Sequence, residues 1–255
     1  ALIREHLSPS FGIEGSGDSA IVNFPAGRLA YTTDSYVVTP LFFPGGNIGD
    51  LAVCGTVNDL AVAGAEPLYL TAGFIIEEGF PFADLKKIVA SMAEATRQAG
   101  VRIVAGDTKV VNKGKADGIF INTSGVGVLK DGVDIAASRI KAGDKVIVSG
   151  EIGNHGIAIL AERNGLSFDP PVQTDSRPLN GLVKTMLNVT PDIHFMRDPT
   201  RGGMATTLKE AALESGLCIK IRENDLPIPA RVKGACDILG LDPLYIANEG
   251  ILIAI

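Results

Sequence analysis

Asp34 and Asp59 both fall within residues 31–67, YTTDSYVVTPLFFPGGNIGDLAVCGTVNDLAVAGAEP, each inside an otherwise apolar element. A carboxylate moved from water into an apolar interior costs several kcal/mol unless it is paired or bound to a cation. Asp34 closes a β-like run, residues 29–33. Asp59 falls in a helix-length segment, residues 48–63, that is apolar nearly all round apart from Asn58. One shared Mg2+ would account for both acids. A third acid follows in VRIVAGDTKVV, where the apolar residues 101–105 run as a strand into Gly106, Asp107, Thr108 and Lys109. Mg2+ takes oxygen ligands, commonly one or two carboxylates plus substrate phosphates, and lysine serves phosphate as a point charge. An acid and a lysine together therefore point to a nucleotide. Asp18, in the glycine-rich GIEGSGDSAIV, is a fourth candidate ligand.

Asp18 and Asp34, taken singly, have a plainer reading: aspartate commonly ends strands and accepts from nearby backbone N–H groups. Asp59 is harder to explain that way, because a hydrogen bond with Asn58 cannot neutralise its charge. Taken together, the acids favour a metal–nucleotide site.

A second anion signal lies in HFMRDPTRGGMATTLKEAALESG. Strand-like residues 193–196 enter a turn at 197–203, and an Ala/Leu-rich helix starts near Gly203. Free N–H groups at a helix start favour phosphate, Gly202 and Gly203 let backbone approach closely, and Arg201 adds a charged donor. An ordinary helix-entry turn capped by Asp198 or Thr200 fits the same residues. SGEIGNHGIAIL repeats the strand, glycine, helix design. His155 within it is a possible ligand, but lone histidines such as this one, His6 and His194 are more often structural.

These residues need elements to hold them, and hydrophobic periodicity supplies a set. Strand 29–33 and buried helix 48–63 are followed by strand 69–76. An amphipathic helix, 81–99, carries Leu85, Ile88, Val89, Met92 and Thr96 on one face. Strands 101–105 and 119–129 complete a first α+β unit. Residues 130–143 read as a linker, strand 145–149 opens a second α/β unit, and the division is expected at 1–137 and 138–255.

At 255 residues, 46% hydrophobic and 20% charged, the chain can bury a large core and form two domains. A net charge of -6 without any Lys/Arg-rich run argues against nucleic acid as a partner. No apolar run reaches membrane-spanning length. Cys54, Cys218 and Cys236 are odd in number and lack CxxC spacing, which argues against a disulfide framework or zinc site, and a reducing cytoplasm is the expected setting. The chain starts at Ala1 and stops inside the strand-like ILIAI, so part of each terminus is expected to be missing.

The combination of TDSYVV, PGGNIGDLAVCGTVNDLAVAGAEP, GDTKVV, SGEIGNHGIAI, RDPTRGG and NEG (Glu249) closely resembles the HypE family of hydrogenase maturation proteins, the carbamoyl dehydratases, over essentially the whole chain. The wider superfamily of aminoimidazole ribonucleotide synthetase, selenophosphate synthetase and thiamine-monophosphate kinase looks similar around Asp18, Asp34 and Asp59. The resemblance implies a two-domain fold that is a homodimer through the sheets of its first domains, with ATP in a cleft near that interface. It implies Mg2+ and phosphates on Asp18, Asp34, Asp59 and Asp107, and nucleotide contacts from Thr108, Asp198, Thr200, Arg201 and Gly202. Lys109 and Glu249 are the candidates for proton handling, Glu249 being equally a nucleotide contact. The implied reaction is ATP-dependent dehydration of a C-terminal cysteine S-carboxamide to a thiocyanate. A HypF-like carbamoyltransferase supplies the carboxamide. The nitrile passes to nickel-iron hydrogenase precursors through HypC/HypD-like scaffolds.

Two family features, an N-terminal HGxGG-like segment and a C-terminal Cys tail, do not appear in these residues. The rival readings are a small-molecule phosphotransferase of the same superfamily and a non-catalytic scaffold ordered by nucleotide.

Overall fold

The computed structural model describes residues 20–24 and 27–255; Asp18 lies outside them. A five-stranded sheet in the order β1-β2-β7-β5-β6 forms the first unit, from β1 (Ala20–Phe24), β2 (Gly27–Tyr36), β5 (Ala65–Glu77), β6 (Arg102–Val111) and β7 (Ile119–Leu129). A short hairpin, β3 (Phe42–Phe43) and β4 (Gly46–Asn47), leads into helix α1 (Ile48–Val62).

α1 starts where a capping box fixes it: the Asn47 carboxamide oxygen accepts from Gly49 N at 2.8 Å, and Asp50 accepts from Asn47 N at 2.6 Å. Such reciprocal bonds satisfy donors that a helix start would leave bare. Thirteen of its 15 residues are buried, so the helix has no solvent face. α2 (Phe82–Ala99) is amphipathic and turns Ile88, Met92, Ala95 and Ala99 inward. The periodic face expected from the sequence is corrected at Val89, which is exposed, because it lies about 100° round the helix from Ile88.

Both helices cover one face of the sheet, and α2 is the crossover joining β5 to its parallel neighbour β6. Register assigns the faces. Asp34 pairs with Thr123, Thr123 with Ala72, and Ala72 with Gly106. The Thr123 hydroxyl reaches Ala52 O of α1, so this row looks toward the helices. The next row, Ser35, Asn122, Gly73 and Asp107, looks the other way. That second face is open, with Tyr31, Tyr69 and Ile75 exposed on it.

Two strands run further than the sequence reading had them. β2 continues through Asp34 to Tyr36, so Asp34 lies within the strand. β6 continues through Gly106 to Val111, which puts Asp107, Thr108 and Lys109 in the edge strand. Gly106 permits this, since a Cβ there would stand 2.6 Å from Ala72 O.

The second unit holds a small sheet ordered β8-β10-β9, from β8 (Ile147–Val148), β9 (Met196–Arg197) and β10 (Ile253–Ala254). Around it lie α3 (Asn154–Asn164), α4 (Asn180–Val189), α5 (Gly203–Ser215) and α6 (Ala230–Leu239). α4 crosses to the first unit and packs against α1 and β5. Ala61 and Val62 of α1 share a core with Leu179, Val183, Ile193, Met196, Leu252 and Ala254.

Gly49 marks how closely α1 and α2 approach, because a Cβ there would collide with the Ile88 carbonyl oxygen. Alanine would gain about 1 kcal/mol of helix propensity, but a backbone atom cannot yield. Gly49→Ala is expected to destabilise the fold by about 2 kcal/mol net, read as a lowered denaturation midpoint; an unchanged or raised midpoint would contradict the close contact.

Candidate active site

The acids of the sequence reading separate into two groups. Asp59 is half-buried on α1, and its Oδ2 accepts from the Thr32 hydroxyl of β2 at 2.8 Å. Asp34 lies two residues beyond Thr32 on the same strand face, at the exposed end, with its Oδ1 accepting from Ser35 N at 2.8 Å. The local backbone bond expected of a strand-end aspartate is therefore present. Tyr36 completes this row. Its hydroxyl stands 3.4 Å from Thr56 Oγ1, which is 2.5 Å from Thr123 Oγ1. Burial, then the charges of Asp34, Asp59 and Glu249, hold the phenol well above its ordinary range. The charges of acids from β2, α1 and the 246–250 loop thus all act on a single buried hydroxyl.

Glu249 comes from the second unit. Burial, followed by the charges of Asp198, Asp175 and Asp34, raises its carboxyl well above the usual range. Its backbone is tightly held: Glu249 N donates to Asp175 Oδ1 at 3.1 Å and Glu249 O accepts from Asn58 Nδ2 at 2.9 Å. Arg177 Nε donates to Gly250 O at 2.8 Å. Asn248, fully buried, accepts from Gly153 N at 2.6 Å and donates to Pro199 O at 3.0 Å, tying three loops together.

Asp198 is buried in the RDPTRGG turn, and its charge acts on Glu249. Gly202, at φ +74°, is the cap residue of α5, so no side chain caps at that position. Gly203 lies at φ +60°, where a Cβ would sit 2.5 Å from Leu244 O. Arg201 is exposed, and Thr200 is half-buried with its N–H bonded to Asp198 O at 3.1 Å.

Asp107, Thr108 and Lys109 are not brought to this cluster within one chain. They occupy β6, three strands from Asp34, about 14 Å across the sheet. Asp107 and Lys109 also share rows with Gly73 and Ile75 of the open face. Among the described residues no group of three or more His, Cys, Asp or Glu has metal-holding geometry.

His155 is structural. Its Nδ1 bonds Thr174 Oγ1 at 2.8 Å, its ring stands edge-on to Phe43, and burial lowers its pKa to about 4. His194 pairs with Asp144 at 2.7 Å. Cys54 and Cys236 are buried and Cys218 is exposed. Burial first, then the Asp50 charge, pushes the Cys54 thiol up to about 12. No described helix is long and apolar enough to cross a membrane.

The sequence reading missed Thr32, Tyr36, Asp175 and Asn248. Strand alternation from Asp34 points to Thr32 and Tyr36. Asp175 sits in PVQTDSRP, which has no periodicity to read.

Two matches cover nearly the whole chain: AIR synthase related protein, N-terminal domain, over residues 16–129, and the corresponding C-terminal domain over residues 141–255. Fold and site thus define an AIR synthase-related protein. Among the relatives, the carbamoyl dehydratase HypE of Bradyrhizobium diazoefficiens is 55% identical over 258 residues, covering 100% of this chain and 75% of its own. The crystal structure of a HypE–HypF complex superposes with a TM-score of 0.94 at 53% identity, covering 100% of this chain and 83% of that one. A HypE crystallised with ATP gives a TM-score of 0.88 at 46% identity, covering 99% and 76%. The chain belongs to the HypE family of carbamoyl dehydratases.

The buried His155 makes stability depend on pH. Its folded pKa of about 4 lies below the ordinary histidine value of 6.5, so between those values the unfolded chain binds the extra proton. Stability is therefore full above pH 6.5 and is lost as pH falls toward 4, by about 3 kcal/mol. His155→Gln is expected to flatten that slope in denaturant titrations at stepped pH; an unaltered slope would assign it to other groups.

Proposed function

We propose that this chain carries out ATP-dependent dehydration of a cysteine S-carboxamide to an S-cyanate, the source of the cyanide ligand in nickel-iron hydrogenase assembly. The observation that carries the reading is that Glu249 of the second unit is held by its backbone carbonyl from Asn58, the residue beside Asp59, while the charges of Asp34, Asp59 and Glu249 all act on the buried Tyr36 hydroxyl. Family membership supplies the chemistry to set against it. ATP and a HypF-like carbamoyltransferase are assigned from the relatives crystallised with ATP and with HypF. Mg2+, HypC/HypD-like scaffolds and a cytoplasmic setting are assigned from the family resemblance.

An amide oxygen is a poor leaving group, and the γ-phosphoryl group of ATP, transferred to it, lets it leave as phosphate. The C–O bond breaks and the nitrile forms. Of the two amide hydrogens, one ends on the released phosphate and the other in solvent. Asp34 and Asp59 would hold the Mg2+ that screens the phosphates. Glu249, whose surroundings make it a stronger base than an ordinary carboxylate, would take the amide proton. Asp198, Thr200, Arg201 and Gly202, at the start of α5, are assigned to the nucleotide.

We assign Asp107, Thr108 and Lys109 to the same reaction through a second copy. The open sheet face, with Tyr31, Tyr69 and Ile75 exposed, is the surface available for a homodimer. Pairing two such faces would carry one chain's β6 toward the other's cluster, which a single chain cannot do. The division at 1–137 and 138–255 is part of the same proposal.

In the full-length carbamoylated protein, Asp59→Asn is expected to slow ATP-dependent loss of one water from the cysteine by at least about a hundredfold, followed by mass spectrometry. Phosphate transfer to an added small acceptor, with no mass change, would move the chain to the phosphotransferases. Mixing inactive Asp59→Ala and Asp107→Ala proteins should restore about a quarter of wild-type turnover if sites are shared across a two-fold dimer. Zero recovery in a mixture shown to exchange subunits would place both acids in one chain's site.

A further inference from the structure

Asn58 is fully buried in α1, the helix without a solvent face. Its carboxamide reaches three backbone groups, all in the second unit. Nδ2 donates to Arg177 O at 3.1 Å and to Glu249 O at 2.9 Å, and Oδ1 accepts from Leu179 N at 2.8 Å. An asparagine side chain has two donor hydrogens and one carbonyl oxygen, so both hydrogens and an oxygen lone pair are committed across the seam. Aspartate would keep the acceptor and lose both donors. Glutamine would shift all three bonds by a methylene.

A buried amide that only satisfied its own polarity could bond anywhere. This one holds the carbonyl of Glu249 and stands next in sequence to Asp59, whose carboxylate is held from the other side by Thr32. Consecutive residues of one helix therefore fix the two halves of the cluster, one through a side-chain carboxylate and one through the partner loop's backbone. The second anchor on that loop, Asp175 to Glu249 N, reaches the first unit only indirectly, through the neighbouring Thr174 N–H on Pro44 O at 2.9 Å, whereas Asn58 bonds Glu249 directly from the residue beside Asp59.

We infer that Asn58 is a positioning residue that registers Glu249 against Asp59 across the seam. The inference rests on the reading of Glu249 given above. Misplacing a reacting group by about 1 Å costs about a hundredfold in rate, and removing Asn58 frees the Glu249 carbonyl to move on that scale.

The test uses the full-length carbamoylated protein with ATP and Mg2+, and compares Asn58→Ala, Glu249→Gln and the double variant. Asn58→Ala is expected to lower kcat by about a hundredfold, with KM for ATP changed less than about threefold. In the Glu249→Gln background the same substitution should cost less than about twofold, because coupled residues are not additive. Equal losses in both backgrounds, or a lowered melting temperature with kcat intact, would make Asn58 structural only and overturn the inference. If Asn58→Ala does not fold, Asn58→Ser, whose hydroxyl can donate to one of the two carbonyls, takes its place in the same cycle. If Glu249→Gln alone leaves turnover at the wild-type level, the functional reading of Glu249 falls and the inference with it. A failure confined to the coupling leaves that reading standing.

Discussion

A helix buried on every side has nowhere to place a charge except against what surrounds it, and α1 carries Asp59 in that position. The sheet beneath, the crossover helix above and the second unit are all packed against this helix, so its polar residues, Asp50, Thr56, Asn58 and Asp59, help decide how those layers meet. Asn58 is satisfied by backbone and Asp59 is met by a hydroxyl. The neutral Thr32 hydroxyl holds the carboxylate from the sheet side, so β2 and α1 are registered to each other through this contact.

The buried Glu249 carboxyl extends the same logic. Burial and the charges of Asp198, Asp175 and Asp34 disfavour its ionisation, while Arg177 favours the charged form of Asp175. Perturbed carboxyls of this kind gather at functional sites.

Much of this was legible in the chain. Asp59 stood out because an apolar helical run makes a carboxylate conspicuous, and α1 and β7 were found because their patterns are long and regular. The ends of β2 and β6 were not legible. Asp34, Gly106 and Asp107 are poor strand formers held in the sheet by their neighbours' pairing. α4 escaped because NGLVKTMLNV is short and follows a proline-rich stretch, and α6 escaped for similar want of length. The face on which Asp107 points depends on strand register across the sheet, which a local pattern cannot supply. Asn58 was visible as a polar residue, but its partners are 119 and 191 positions away.

α4 belongs by sequence to the second unit, yet it is fastened to the first. Asn180 donates to Ala99 O at the end of α2, Lys184 pairs with Glu66 of β5, and Val183 enters the core shared with Ala61 and Val62. The chain is therefore woven rather than strung, with a later segment folded back as part of the earlier unit's wall. Cutting at the 130–143 linker would strip that wall from α1 and leave its apolar end facing water, so the two units are separable as text but not as objects.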